Sequence, residues 1–215
     1  MEKIDIKDIW NCNEVGKWKD AEEEYSKRIN QVAKKIEKKF EQMTTEEILG
    51  LSPDEFYIFL RDMYFPWKFT GIYLKPRLEN LKTIENKQTQ IKDVIDDLKE
   101  LQKRIADKKE LNDDDMSNAI RNLQKIPGIG LSAATGLLSI LFPTHFGTIN
   151  KHVRINLKKV GCKISEQDCI NISVKNAIKM EKILIEKAKK LNTDMNTDYW
   201  TPRRLDKILW SIRED

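Results

Sequence analysis

Leu123-Gln-Lys-Ile-Pro-Gly-Ile-Gly-Leu-Ser-Ala-Ala-Thr-Gly-Leu-Leu138 is the stretch that decides how this chain is read. Ala119, Leu123 and Ile126 share one face of a helix that ends here, and Ala133, Leu137, Ile140 and Leu141 share one face of a helix that begins here. Pro127 removes a backbone donor and stops the first helix. Gly128 and Gly130 permit positive φ and let another backbone come close. The second helix then starts with bare N–H groups, which favour an anion. A plain helix–helix turn gives the same local pattern, so the surrounding composition is what separates the two readings. Met116 to Ser165 contains no Asp or Glu, where about eight would be expected from the 35 in the chain. The same window holds Arg121, Lys125, Lys151, Arg154, Lys158, Lys159 and Lys163 in a chain of net charge only +4. A basic face around a glycine-rich hairpin suits a polyanion, with Lys125, Pro127, Gly128, Ile129 and Gly130 as candidate contacts.

The rest of the chain reads as helical, and no segment sustains the alternation of a strand. Residues 17–43 predict one long helix with Trp18, Tyr25, Ile29, Val32, Ile36 and Phe40 inward. Thr44-Thr-Glu-Glu47 and Ser52-Pro-Asp-Glu55 are capping boxes, the second with Pro53 at the favoured first position, and Gly50 ends the helix between them. Ile91, Val94, Ile95, Leu98, Leu101 and Ile105 form the inner stripe of a charged helical region over 75–110. Asn112 caps the first hairpin helix. Val153, Leu157 and Val160 face inward on a later helix, which Gly161 ends. Thr201-Pro202 begins the last helix, and Arg203 and Arg204 in its first turn suit an acidic or phosphate partner, or a plain exposed pair. Trp10 and Val15 are candidates to dock the leader of residues 1–16.

With 215 residues the chain suits one or two small domains. The charged start Met1-Glu-Lys-Ile-Asp-Ile-Lys is unlike a signal peptide, and no apolar run reaches the ~20 residues of a membrane span. Three widely spaced cysteines, Cys12, Cys162 and Cys169, point to a reducing, cytoplasmic setting. With two His and no close Cys pair, no zinc site is expected.

Leu-x-x-Ile-Pro-Gly-Ile-Gly-x-Ser-Ala resembles the helix-hairpin-helix of the HhH-GPD DNA glycosylases. The resemblance is specific over residues 119–157 and only architectural elsewhere. It implies an all-α, two-lobed fold: residues 52–149 form the lobe with the hairpin at 125–132, residues 1–51 plus 150–215 form the second, and a cleft lies between them. It also implies duplex DNA with a damaged or modified base as partner, a monomer, and no cofactor except, at most, a monovalent cation at the hairpin. A Lys in the second hairpin helix gives lyase chemistry in that family. Here the position is Ser132, which implies monofunctional hydrolysis.

Phe146-Gly-Thr-Ile-Asn-Lys-His-Val153 resembles the family's catalytic loop, but Asn150, eighteen residues past Ser132, stands where the family has its catalytic Asp. A carboxylate there would stabilise positive charge growing on the sugar, and a neutral amide costs on the order of 3 kcal/mol of that stabilisation. Three readings of Asn150 are open: a substitution that traps a substrate complex, a natural binding-only relative, or a different carboxylate, Asp54 or Asp62, doing the work. Lys151, His152 and Arg154 follow as DNA contacts. Two of the family's four cluster cysteines are missing, so no iron–sulfur cluster is expected. Tyr64, Phe65, Trp67 and Phe69, broken by Pro66 and followed by Gly71, read as a loop whose rings could stack on an extruded base, or as core. Lys68 beside them suits a phosphate or a base edge. The function expected is base flipping and hydrolysis of an N-glycosidic bond, serving DNA repair or defence against phage. The rivals are a non-catalytic DNA-binding protein on the same fold and a protein-interaction module.

Overall fold

The computed structural model describes residues 5–84, 87–107 and 110–213. Among these residues all regular structure is helical and there is no strand. In chain order the helices are α1 (Ile6–Trp10), α2 (Val15–Arg28), α3 (Gln31–Phe40), α4 (Thr45–Leu49) and α5 (Pro53–Phe59). A π-helical turn (Leu60–Tyr64), α6 (Phe65–Lys68) and a 3₁₀ turn (Gly71–Tyr73) follow. Next come α7 (Leu74–Lys82), α8 (Lys87–Ala106), α9 (Asp113–Leu123), α10 (Leu131–Leu141), α11 (Lys151–Lys159), α12 (Glu166–Ile170), α13 (Val174–Asp194) and α14 (Pro202–Ser211). The chain divides into two compact units, Asn30–Phe142 and Met1–Ile29 with Pro143–Asp215. The sequence reading set its divisions at 51/52 and 149/150.

In the unit Asn30–Phe142, α5 packs on α8, α3 on α6, and α9 on both α8 and α10. Phe56, Leu60, Tyr64, Phe65, Ile91, Ile120 and Leu137 have no exposed surface. Burying each such apolar side chain contributes about 2 kcal/mol. Ile91, Val94, Ile95, Leu98 and Leu101 are buried on α8 as their spacing predicts. Both predicted capping boxes form, Thr44 with Glu47 and Ser52 with Glu55, and Asn112 closes a third with Asp115.

In the other unit, α14 packs on α2, α11 and α13 around a fully buried Trp18, whose indole N–H donates to the Cys12 carbonyl at 2.9 Å. The Asn156 amide donates to the carbonyls of Leu209 and Ile212, satisfying the end of α14 from α11. Trp10 docks the leader on Trp18 at 6.3 Å, while Val15 is exposed.

Three expectations are corrected. The single helix over 17–43 is two, because Ile29 is extended and Asn30 caps α3 through the Ala33 N–H at 2.9 Å. Val32 then points outward, 58% exposed. The aromatic segment around Pro66 is helical rather than a loop. The Phe65 N–H reaches back five residues to the Leu60 carbonyl, and this wide turn directly precedes Pro66, which has no N–H for a regular ladder. Gly130 has φ −87°, so only Gly128 of the hairpin glycines, at φ +91°, uses the left-handed region.

Candidate nucleic-acid interface

The hairpin is built from the unit Asn30–Phe142. Helix α9 ends at Leu123, and Gln124 to Gly130 turn the chain into α10. Ile126 and Ile129 are buried and anchor the turn, while Lys125 and Gly130 are exposed and Pro127 is half-buried. The two glycines do different work. A Cβ on Gly128 would lie 2.9 Å from the Arg77 carbonyl oxygen and 3.2 Å from the Phe65 ring, so this glycine faces the interior. A Cβ on Gly130 would meet nothing within 4 Å, so this one faces open space. Gly130 is the N-cap of α10 and supplies no capping side chain. The Ala133 N–H already donates to the Gly130 carbonyl at 2.9 Å, so the donors that no side-chain cap closes and that suit an anion are those of Leu131 and Ser132. Ser132 is half-buried in the first turn of α10, its carbonyl accepting from the Thr135 hydroxyl.

The aromatic segment packs behind the hairpin. Tyr64 and Phe65 are fully buried, and the Tyr64 hydroxyl donates to the Ala133 carbonyl on α10. Both are core, which corrects their candidacy for base stacking: rings held on all sides by protein cannot admit a base. Trp67 is half-buried, 5.7 Å from Phe40 and 5.9 Å from Tyr64. The Lys68 ammonium lies 5.9 Å from the Trp67 ring and against Gly136, where an added Cβ would come within 3.0 Å of Nζ.

Asn150 belongs to the other unit, at the start of α11. Its Oδ1 accepts from the N–H groups of His152 (2.9 Å) and Val153 (3.1 Å). It is half-buried, so its amide is not lost in the core. The loop before it is held by two buried acids. Glu181 of α13 accepts from the Gly147 N–H at 2.7 Å, and Asp206 of α14 accepts from the Thr148 N–H. Gly147 has no room for a side chain, since a Cβ would lie 2.6 Å from Leu184 and 3.0 Å from the Pro202 carbonyl. Burial pushes the Glu181 carboxyl well above the usual carboxylate range. The Gly147 N–H opposes that shift, and Asp206 adds to it. The Oε1 atom of Glu181 is buried with no hydrogen-bond partner. Neither acid was a sequence candidate. The available signal was that Glu181 and Asp206 interrupt the apolar stripes of Ala177, Ile178 and Leu184, and of Leu205, Ile208 and Leu209.

The basic residues are distributed unlike the linear window suggests. Of its seven cations, only Arg121 and Lys125 lie in the hairpin's unit. Residues 30–142 carry 18 Lys and Arg against 18 Asp and Glu. Arg154 is corrected as a DNA contact. It is 8% exposed, it donates to the Asp168 carbonyl at 3.0 Å, and burial holds its pKa below the usual arginine range. Lys158 pairs with Glu166, while Lys151 is exposed and His152 half-buried. Arg204 has its acidic partner inside the chain, pairing with Glu22 and stacking on Tyr199 at 3.8 Å. Asp62 is bound by Arg61 at 2.6 Å and Asp54 accepts from Gln88 at 2.8 Å, so both substitute carboxylates have local partners. The three cysteines are free thiols. Among the described residues, no three His, Cys, Asp or Glu gather to hold a metal ion, and no helix is long and apolar enough to cross a membrane.

No family model, curated protein or solved structure matches the chain.

Proposed function

We propose that this chain binds duplex DNA through the 125–132 hairpin and is built as a DNA glycosylase, cytoplasmic and monomeric, with Asn150 at the place of the catalytic carboxylate. The observation that carries the DNA reading is the hairpin itself: Gly128 turned inward at φ +91°, Gly130 open, and α10 without a side-chain cap. Lys125 and Arg121 supply charge beside it, and Trp67 with Lys68 stands as the remaining candidate for the base. Ser132 in place of a lysine fits simple hydrolysis of an N-glycosidic bond. Asn150 is neutral, so the chain as it stands is a weak catalyst.

Asn150→Asp is the direct test. Base release is measured for both forms on a panel of duplexes with damaged, mismatched and modified bases. Release that appears or rises at least about a hundredfold with Asp supports the glycosylase reading. A second reading, a non-catalytic DNA-binding protein, is favoured by the Asn150 side chain, whose oxygen already has a structural task as the cap of α11. Silence from both forms, with binding that weakens steeply in salt, selects that reading. Absence of any binding at low salt sinks both.

A further inference from the structure

Glu181 and Asp206 reach the loop before Asn150 from two different helices, α13 and α14, and take the N–H groups of two consecutive residues, Gly147 and Thr148. Glu181 is fully buried and Asp206 is 5% exposed. The Glu181 Oε2 atom accepts from Gly147 at 2.7 Å, while its Oε1 atom is buried with no hydrogen-bond partner. A bare carboxylate oxygen in the interior, with a second carboxylate acting on it, is the least stable charge state open to the pair. One proton on Oε1 removes that charge and leaves Oε2 as the acceptor for Gly147.

The other charges nearby are engaged elsewhere. His145 is the titratable side chain of the loop, and the charge acting on it is that of Lys189. On α14, Arg204 pairs with Glu22, the Lys207 ammonium lies 5.2 Å from the Tyr25 ring, and Arg203 is half-buried. On α11, Arg154 donates to the Asp168 carbonyl. Lys182, next to Glu181 on α13, is exposed. Among the described residues, the charge acting on the Glu181 carboxyl is that of Asp206.

The loop passes this hold on to Asn150. Asp206 accepts the Thr148 N–H, and the Thr148 carbonyl accepts the Asn150 N–H at 2.9 Å. Gly147 has little room to follow a moving carboxyl, because Leu184 and the Pro202 carbonyl crowd it. A second negative charge beside Asp206 drives the carboxyls apart and strains both N–H bonds.

We propose that Glu181 and Asp206 hold one proton between them, and that this proton keeps the loop, and with it Asn150, in place. Glu181 is then a positioning residue whose hold is lost as pH rises. The shared proton stands on the geometry of the pair, and its consequence for base release rests on the proposed glycosylase reading.

The test follows the Gly147, Thr148 and Asn150 amides by NMR from about pH 5 to about pH 9. It compares the full chain with Glu181→Gln and Asp206→Asn. The three amides of the parent should move together, with one midpoint above the ordinary range of a glutamate. Glutamine mimics the protonated acid, with an oxygen to accept and an NH₂ group in place of the O–H. Glu181→Gln should therefore hold the low-pH positions throughout. Asp206→Asn removes the like charge and should lower the midpoint by about one pH unit or more. The His145 ring should titrate in all three forms and serves as reference. Melting temperatures at each pH separate local movement from unfolding.

Amides that move alike in the parent and in Glu181→Gln overturn the shared proton, as does a midpoint that Asp206→Asn leaves in place. Movement at Gly147 and Thr148 that does not reach Asn150 overturns the positioning role. Base release by Asn150→Asp, with and without Glu181→Gln, reads the function separately. It should fall through the same midpoint where Glu181 is present and stay level where Gln replaces it. Identical profiles overturn the positioning role. No release at any pH sinks the glycosylase reading, and the amide titration still decides the proton pair.

Discussion

Helix α10 starts at Gly130 with no side-chain cap, whereas α11 starts at Asn150, whose Oδ1 closes two of that helix's first N–H groups. The first is an apolar helix reached through a glycine turn, and the second carries Lys151, Lys158 and Lys159. The contrast separates two uses of one chemical feature. Donors left open can receive an anion from outside. Donors closed by a side chain hold that side chain in one orientation, and here they aim the Asn150 amide. Each start is also anchored from below, α10 by Gly128 against Arg77 and Phe65, and α11 by Glu181 and Asp206 under the loop at 147–148.

The largest break in this comparison should come from Gly128→Ala, which forces a left-handed backbone on a residue with a Cβ and drives that Cβ toward the Arg77 oxygen. A loss of about 3 kcal/mol in urea unfolding is expected. Gly130→Ala, at φ −87° in open space, should cost less than about 0.5 kcal/mol while weakening DNA binding. Equal stability losses at the two glycines would contradict their division into an inward and an outward residue.

Glu181→Ala should cost about 2 kcal/mol, because the Gly147 N–H is left buried without an acceptor. Glu181→Gln keeps an acceptor and should cost less. The pH dependence carries a definite sign. The folded pKa of Glu181 is raised above its ordinary value of 4.5, so the folded state holds this proton more tightly than the unfolded state does. Its stabilising contribution is complete below that ordinary value and is lost as pH rises through the folded pKa. Glu181→Gln should therefore gain on the parent as pH rises, and parallel stability curves for the two would refute this assignment.

Asn150→Ala should cost about 1 kcal/mol through loss of the α11 cap. Asn150→Asp should stay within a few tenths of a kcal/mol of the parent, because Asp caps equally well and its charge suits a helix N-terminus. Any new base release in that variant then reports chemistry rather than repaired folding. The smallest effect is expected from Lys125→Ala: unchanged unfolding, with the slope of log affinity against log salt reduced by about one.

Much of the helical layout was legible from local signals. The capping boxes at Thr44, Ser52 and Asn112, the α8 stripe and the Pro127–Gly128 turn all depend on residues within one or two turns of each other. The break at Asn30 was hidden because Ile29 and Val32 continue the apolar spacing, while Asn30 is an effective cap only once Ile29 leaves the helix. Tyr64 and Phe65 read as available rings because Pro66 suggested a loop, and the π turn that accommodates Pro66 has no marked sequence signature.

By itself the sequence determined an all-helical chain and a glycine hairpin with the backbone freedom to bare a helix start, because periodicity, caps and turn residues act over a few bonds. Tertiary structure alone decided which glycine faces inward, which arginine is buried, and that two acids in charged helices turn under the loop before Asn150. Those outcomes depend on neighbours far away in the chain, whose packing sets the solvation of each charge.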